Sequence, residues 1–94
     1  MINLNDGYSV TPKTPKFSLG EVVRHLRYEY RGLIVALDNT CQAAEDWYLS
    51  NQSQPDRDQP WYHILVDGGQ HISYVAESNL ELDPTNSSVV HPLL

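Results

Sequence analysis

Basic residues gather near the start of the chain, and they are the first residues whose chemistry could define a function. They are Lys13, Lys16, Arg24, Arg27 and Arg31. Residues 13–31 hold only two acids, so that stretch carries +3 while the rest of the chain carries −9. Such a cationic edge could contact a phosphate backbone, and the interleaved His25, Tyr28 and Tyr30 could stack or form hydrogen bonds. The alternative is a solvated hairpin face.

Aromatic residues form a second candidate group within PWYHILVDGGQHISYVAESN, residues 60–79. A methyl group on a DNA base is a small apolar projection in the major groove, and an aromatic ring could receive it. Trp61, His63 and Tyr74 are therefore candidates for recognising a methyl group or a partner. Aromatic rings in a small β-domain also fill its core, which is the commoner role for Tyr62 and Tyr74.

Histidines and carboxylates raise two further chemistries, metal binding and acid–base catalysis. His25, His63 and His71 with Glu77 are ligand types that suit zinc, but their spacing matches no known zinc motif. His63 and Glu77 could exchange protons with a substrate, yet neither a nucleophile nor a phosphate-cradling loop accompanies them. We predict no metal, no cofactor and no catalytic site. Glu77 and Asn79 are instead expected to brace the turn after the fourth strand by accepting from backbone amides.

Length and charge set limits on the class of protein. The 94 residues can form one small domain with one modest core. The formal charge of −6 disfavours a general affinity for phosphate backbones, so nucleic-acid binding requires a local cationic exception. Cys41 is the only cysteine and cannot form an internal disulfide, which favours a cytoplasmic protein. We also expect no leader peptide and no membrane association, because no long apolar run occurs.

The elements that must position these residues follow from the patterning. Residues 1–15 are predicted to be a flexible arm, since they contain few apolar side chains. FSLGEVVRHLRY and YRGLIVALD are β-branched and aromatic runs separated by a short polar stretch, which predicts a hairpin. In the second run, strict alternation puts Leu33, Val35 and Leu37 on one face of the strand and Ile34 and Ala36 on the other.

A helix and a second hairpin are predicted next. Asn39 followed by Gln42 is a capping pattern, and Cys41, Ala44, Trp47 and Tyr48 recur at helical spacing, which predicts a helix of two to three turns. Cys41 is expected to be a buried thiol, and Trp47 and Tyr48 either pack on the sheet or offer an exposed patch to a partner.

WYHILVD and HISYVAE then form two strands joined at Asp67-Gly68-Gly69. The register that we favour, with a three-residue loop, aligns Tyr62 and Ile64 with Tyr74 and Ile72. A two-residue loop would instead place His63 beside Tyr74.

The element order predicts a mainly β protein. We expect a small SH3-like barrel of about five antiparallel strands at residues 16–83, with one short helix inserted between strands 2 and 3. ESNLEL is expected to supply a turn and the short last strand, and residues 84–94 are expected to be a C-terminal tail.

Four segments in this order and spacing resemble the YccV-like family, which includes heat-shock protein Q and is named for hemimethylated-DNA binding. They are FSLGEVVRH, YRGLIVALD, PWYHILVD and YVAESNLEL. The most specific element is Pro-Trp-Tyr-His at residues 60–63, followed after a turn by residues 74–77 and by Asn79-Leu80. The resemblance implies an SH3-like barrel, association with hemimethylated double-stranded DNA and no catalytic activity. It also implies, as in some members, the alternative of an adaptor or specificity factor that binds a protease such as Lon, or its client.

Overall fold

Five antiparallel strands form one sheet in the order β4-β3-β2-β1-β5. The computed structural model describes residues 14–51, 53–85 and 87–94, so most of the predicted arm lies outside the described residues. The elements are β1 (Val22–His25), β2 (Arg31–Asp38), α1 (Glu45–Ser50), β3 (Trp61–Val66), β4 (Ile72–Ala76), the 3-10 helix η1 (Glu77–Asn79) and β5 (Leu80–Leu82). The first four strands are sequential neighbours, whereas β5 returns to pair with β1. This is the predicted mainly β, SH3-like arrangement with one short helix between strands 2 and 3, and that prediction is confirmed.

A β-bulge interrupts the alternation of β2. Ile34 pairs with Ile64, but Ala36 rather than Val35 pairs with His63, so Val35 is an extra residue. Ile34 and Leu37 consequently both pack in the core, although the sequence alternation placed them on opposite faces. The bulge also moves Asp38 to the outer face of the sheet, opposite Trp61.

The β3–β4 hairpin adopts the register that we did not favour. His63 pairs with Tyr74, and Tyr62 pairs with Val75. The Val66 amide donates to the His71 carbonyl at 3.1 Å, so the loop spans residues 67–70. A four-residue loop gives the same pairing as the two-residue alternative, and our preferred three-residue loop is wrong.

The inserted helix is shorter and begins later than predicted. It has six residues with Ala44 at its N-cap position, and no side chain caps it. Asn39 is not the cap, because the amides that would start a helix there are used elsewhere. The Cys41 amide donates to the Arg57 carbonyl at 2.9 Å and the Gln42 amide donates to the Tyr74 hydroxyl at 3.0 Å. Within the described residues, no helix is long and apolar enough to cross a membrane.

Two apolar clusters lie on opposite faces of the sheet. The main core lies on the inner face and consists of Phe17, Val23, Ile34, Tyr62, Ile64, Val75 and Leu80. The smaller cluster lies on the outer face, where Cys41, Trp61 and Ala76 are buried beneath the inserted segment. Tyr62 and Cys41 are therefore the buried residues that the sequence indicated.

The C-terminal segment is held against the β3–β4 hairpin. The Gly68 amide donates to the Val90 carbonyl at 2.8 Å, and the Val90 amide donates to Asp67 Oδ1 at 2.7 Å. The His91 side chain is buried and its Nε2 lies 3.0 Å from the His71 carbonyl oxygen. Residues 88–91 thus extend the folded unit beyond the predicted boundary at residue 83.

Candidate functional site

Two of the three arginines of the first hairpin are engaged by carboxylates. Arg24 Nε donates to Glu81 Oε2 at 2.9 Å, and its Nη2 forms a salt bridge with the same oxygen on the neighbouring strand β5. Arg31 bridges two acids, with Nη1 2.7 Å from Asp67 Oδ2 and Nε 3.2 Å from Asp83 Oδ2. Their role in binding DNA stays a prediction, but much of their charge is neutralised within the fold.

The other cations of the predicted edge differ from Arg24 and Arg31 in their ion-pair partners. Lys16 and Arg27 have no salt bridge to any described carboxylate, and the Arg27 guanidinium lies over the Tyr28 ring at 5.6 Å. Lys13 lies outside the described residues. The edge therefore retains fewer unpaired charges than the sequence predicted.

His25 is a buried structural residue of the hairpin turn. Its Nδ1 accepts hydrogen bonds from the backbone amides of Arg27 and Tyr28, each at 3.1 Å. The imidazole packs on the rings of Tyr28 and Tyr30, with centroids at 4.7 and 5.1 Å. Burial, with a smaller contribution from the Arg27 charge, lowers the pKa of His25. These contacts favour the neutral imidazole, because a protonated Nδ1 could not accept.

A cavity of about 680 Å³, which we call the aromatic cleft, lies beside the inserted segment and strand β4, and residues from both faces of the sheet line it. Its volume falls within the usual range for ligand pockets. Residues from both predicted groups line it: His25, Tyr28 and Tyr30 from the first, and Trp61, His63 and Tyr74 from the second. The structure thus brings most of the predicted aromatic residues together, whereas Lys16, Arg24, Arg27 and Arg31 are not among the residues that line the cleft.

Tyr74 stands at the centre of the aromatic rings. Its centroid lies 4.6 Å from that of His63, 5.3 Å from that of Trp61 and 5.8 Å from that of Trp47. Burial is the largest cause of the raised pKa of Tyr74, so its hydroxyl is a neutral donor. Trp47, contributed by α1, remains 39% exposed, whereas Trp61 is buried.

Asp38 is the acidic residue among the described residues that line the cleft, and it was not among the predicted site residues. Its Oδ2 accepts a hydrogen bond from the Tyr74 hydroxyl at 2.7 Å and lies 3.3 Å from His63 Nε2. Among the described lining residues none is Lys or Arg, so the fixed charge of the cleft is negative. The sequence offered no direct signal for this residue, because its position depends on the bulge at Val35.

Glu77 links the start of the fold to the core. Its Oε2 accepts from the Lys16 amide at 2.8 Å and from the Tyr62 hydroxyl at 2.7 Å. No side chain caps the η1 turn itself, so the backbone amide that Glu77 accepts from is that of Lys16 rather than one of the turn. Instead, the Asn79 carbonyl accepts from the Leu26 amide at 2.8 Å, which ties the turn to the first hairpin.

The His, Cys, Asp and Glu side chains are the groups that could bind a metal ion. Across residues 14–51, 53–85 and 87–94, no three His, Cys, Asp or Glu side chains are grouped to hold a metal ion. His71 is exposed, and His25 is occupied by the hairpin turn. Aromatic stacking, hydrogen bonding and charge pairing are the interactions that the cleft offers most directly.

The fold defines the class as a small SH3-like barrel domain, here with a cleft beside strand β4. Comparison with known sequences identifies the family, since residues 15–94 match the YccV-like family, described as "Hemimethylated DNA-binding protein YccV like". The chain belongs to this family, as its four sequence segments indicated. The match includes the C-terminal segment that docks on the β3–β4 hairpin.

The chain is also similar to part of much longer animal proteins. It is 34% identical over 79 residues to F-box only protein 21 of Mus musculus, covering 81% of this chain and 12% of that protein. The identity to F-box only protein 21 of Homo sapiens is 33% over 79 residues, with the same coverage of 81% and 12%. The chain therefore spans only about an eighth of the length of these relatives.

Proposed function

We propose that this domain is a non-enzymatic binding module that holds a segment of a partner protein in the aromatic cleft. The observation that carries the proposal is the cleft itself, in which Tyr74 donates to the Asp38 carboxylate and its ring lies 5.8 Å from that of Trp47. Partially exposed aromatic rings combined with a few polar groups are typical of protein recognition sites. An adaptor role, for a protease such as Lon or for its client, is the form of this function that we favour.

Charge favours a protein partner over a nucleic acid. A phosphate backbone is bound by unpaired cations, and Arg24 and Arg31 already form salt bridges. Among the described residues that line the cleft, the fixed charge is the Asp38 carboxylate, which repels phosphate. A lone buried Cys41 is compatible with a protein working in the cytoplasm, which we include in the proposal.

Hemimethylated DNA is the second candidate partner, and membership of the YccV-like family favours it. Lys16 and Arg27 would supply the phosphate contacts, and the rings of the aromatic cleft would receive a methyl group. This candidate requires DNA to approach the turn between β1 and β2, where Arg27 and Tyr28 lie.

The test uses an array of random-sequence peptides, probed with the whole chain and with two variants of α1. Trp47→Ala removes a ring of the cleft, whereas Leu49→Ala removes a side chain of the same helix that is 60% exposed and lies outside the cleft lining. We expect peptides captured by the wild type and by Leu49→Ala to bind Trp47→Ala about tenfold more weakly, because a contact ring is lost.

Two results would contradict the proposed function: an array that captures no peptide, or capture that Trp47→Ala leaves unchanged. A hemimethylated duplex titrated in parallel separates the second candidate, since tight duplex binding without peptide capture would favour DNA. The adaptor role predicts a further result. Lon should digest a reporter carrying a captured peptide faster when the wild-type domain is added, and Trp47→Ala should not accelerate digestion.

A further inference from the structure

We infer that the aromatic cleft selects a basic side chain, lysine or arginine, of the bound segment. The alkyl stem would lie on the Trp47 ring and the charged head would reach Asp38. This inference rests on the proposed function, because it names the chemistry that the same cleft recognises.

The first support is the position of the Asp38 carboxylate. Its Oδ2 is held by the Tyr74 hydroxyl and lies near His63, whereas Oδ1 accepts no hydrogen bond from any described residue. The Asp38 side chain is 30% exposed, so a ligand can approach it. A carboxylate that is oriented through one oxygen and accessible at the other is well suited to accept a charged N–H donor.

The second support is the set of rings beside this carboxylate. Trp47, Trp61 and Tyr74 pack at mutual centroid distances of 5.3 to 6.4 Å, with interplanar angles from 33° to 68°. The angled rings present π-faces in more than one direction. A cation is attracted to the face of an aromatic ring, and most strongly to that of tryptophan.

The third support is the neutrality of the phenol that links the rings to the acid. Tyr74 donates to Asp38 and accepts from the Gln42 amide, so both functions of its hydroxyl are used. Tyr74 therefore orients the carboxylate and leaves its negative charge for a ligand. The helix α1 adds Glu45 and Asp46 in its first turn, on the element that supplies Trp47.

Charge complementarity decides between a basic and an acidic occupant. No lysine or arginine is among the described residues that line the cleft, and the whole chain carries −6. An acidic or phosphorylated segment would meet a like charge at Asp38. A purely apolar segment would cover that carboxylate without pairing it, at a cost in desolvation.

The experiment titrates short Gly/Ser peptides that differ only at one central residue: lysine, arginine, norleucine or glutamate. Binding is followed by the indole N–H signals of Trp47 and Trp61 in NMR spectra. The lysine and arginine peptides should bind about tenfold more tightly than the norleucine peptide, whose side chain has no charge. The glutamate peptide should bind most weakly.

Two charge-matched variants separate the cleft from the general acidity of the chain. Asp38→Asn keeps an acceptor for Tyr74 but removes the charge, and it should weaken the lysine peptide about tenfold while leaving the norleucine peptide unchanged. Asp58→Asn removes one charge from an exposed residue outside the cleft lining, and it should leave the lysine peptide unaffected.

The inference is overturned if norleucine binds as well as lysine, if none of the four peptides shifts the indole signals, or if both variants weaken lysine binding equally. Comparison with the peptide array locates the failure. Capture that depends on Trp47 without selection for basic residues would overturn this inference and leave the proposed function standing. If the array captures no peptide, or if Trp47→Ala captures peptides as well as the wild type does, both the inference and the proposed function are overturned.

Discussion

Arg31 and Asp67 are joined twice, once through their side chains and once through the backbone. Arg31 Nη1 donates to Asp67 Oδ2 at 2.7 Å, and the Asp67 amide donates to the Arg31 carbonyl at 2.8 Å. The same guanidinium donates to the carbonyls of Ser87 and Ser88, and Asp67 accepts from the Val90 amide. The pair therefore holds the start of β2, the β3–β4 loop and the C-terminal segment together.

Replacing Arg31 should destabilise the fold. Arg31→Ala removes two ion pairs and leaves the Ser87 and Ser88 carbonyls without this donor, so the free energy of unfolding should fall by about 2 kcal/mol. Urea denaturation measures this change. Arg24→Ala is the matched control, because it breaks a single, more exposed pair with Glu81 and should cost less. Equal losses for the two variants would show that Arg31 has no special structural role.

The second prediction concerns salt. Four or five phosphate contacts from the basic cluster predict a slope of log K against log salt of about −4, at roughly −0.9 per contact. Among the described cations of that cluster, only Lys16 and Arg27 are without a salt bridge. With Lys13, which lies outside the described residues, counted as a third contact, a hemimethylated duplex should therefore show a slope of about −3 or shallower. A slope near −4 would mean that Arg24 and Arg31 exchange their carboxylate partners for phosphates on binding.

Sequence patterns predicted most of the strands and left their pairing open. The β-branched runs mark β1 to β4 because apolar side chains recur there at the right length. The Gly68-Gly69 turn permits more than one loop length, so the register depends on tertiary packing of Tyr62 and Tyr74. The bulge at Val35 has no local signal, since neither glycine nor proline marks it.

The candidate site was predictable in its residue types and less so in its geometry. The aromatic residues Trp61, His63 and Tyr74 were identified and do line one cleft. Asp38 was missed because its face depends on the bulge. The arginines were identified, but their partners Glu81 and Asp83 lie more than fifty positions away along the chain, beyond the reach of a local pattern.

The third prediction tests the close approach of β2 and β3. A Cβ added at Gly32 would collide with Ile64 Cγ2 and would lie 2.5 Å from the Leu65 carbonyl oxygen. Backbone atoms cannot yield without disturbing the sheet, so Gly32→Ala should lower the free energy of unfolding by about 2 to 3 kcal/mol. Gly69→Ala is the control, since its nearest neighbour would be 3.7 Å away, and it should cost less than about 0.5 kcal/mol. Equal midpoints of thermal unfolding would contradict this packing argument.

The fourth prediction is a loss of stability in mild acid that depends on His25. The pKa of His25 is lowered in the folded state, chiefly by burial, from an ordinary value of 6.5. Below that value the unfolded chain binds a proton that the folded protein resists, so stability is complete above about pH 6.5 and falls as the pH decreases toward the folded pKa. The urea midpoint should therefore decrease as the pH is lowered from about 7.5 to about 5.

A variant separates His25 from the other titrating groups. His25→Asn can still accept from the turn amides through its side-chain oxygen, so it should fold, with lower stability at neutral pH and a flatter profile between about pH 6.5 and about pH 5. His71→Gln is the control, because His71 is exposed and its carbonyl, which lies beside His91 Nε2, is retained. Asp67, whose pKa is lowered mainly by the Val90 amide, loses its contribution only as the pH falls below the ordinary carboxyl value of 3.8. If the urea midpoint still falls with decreasing pH in His25→Asn but no longer does so in His71→Gln, His71 in the β3–β4 hairpin, and not His25, causes the acid sensitivity.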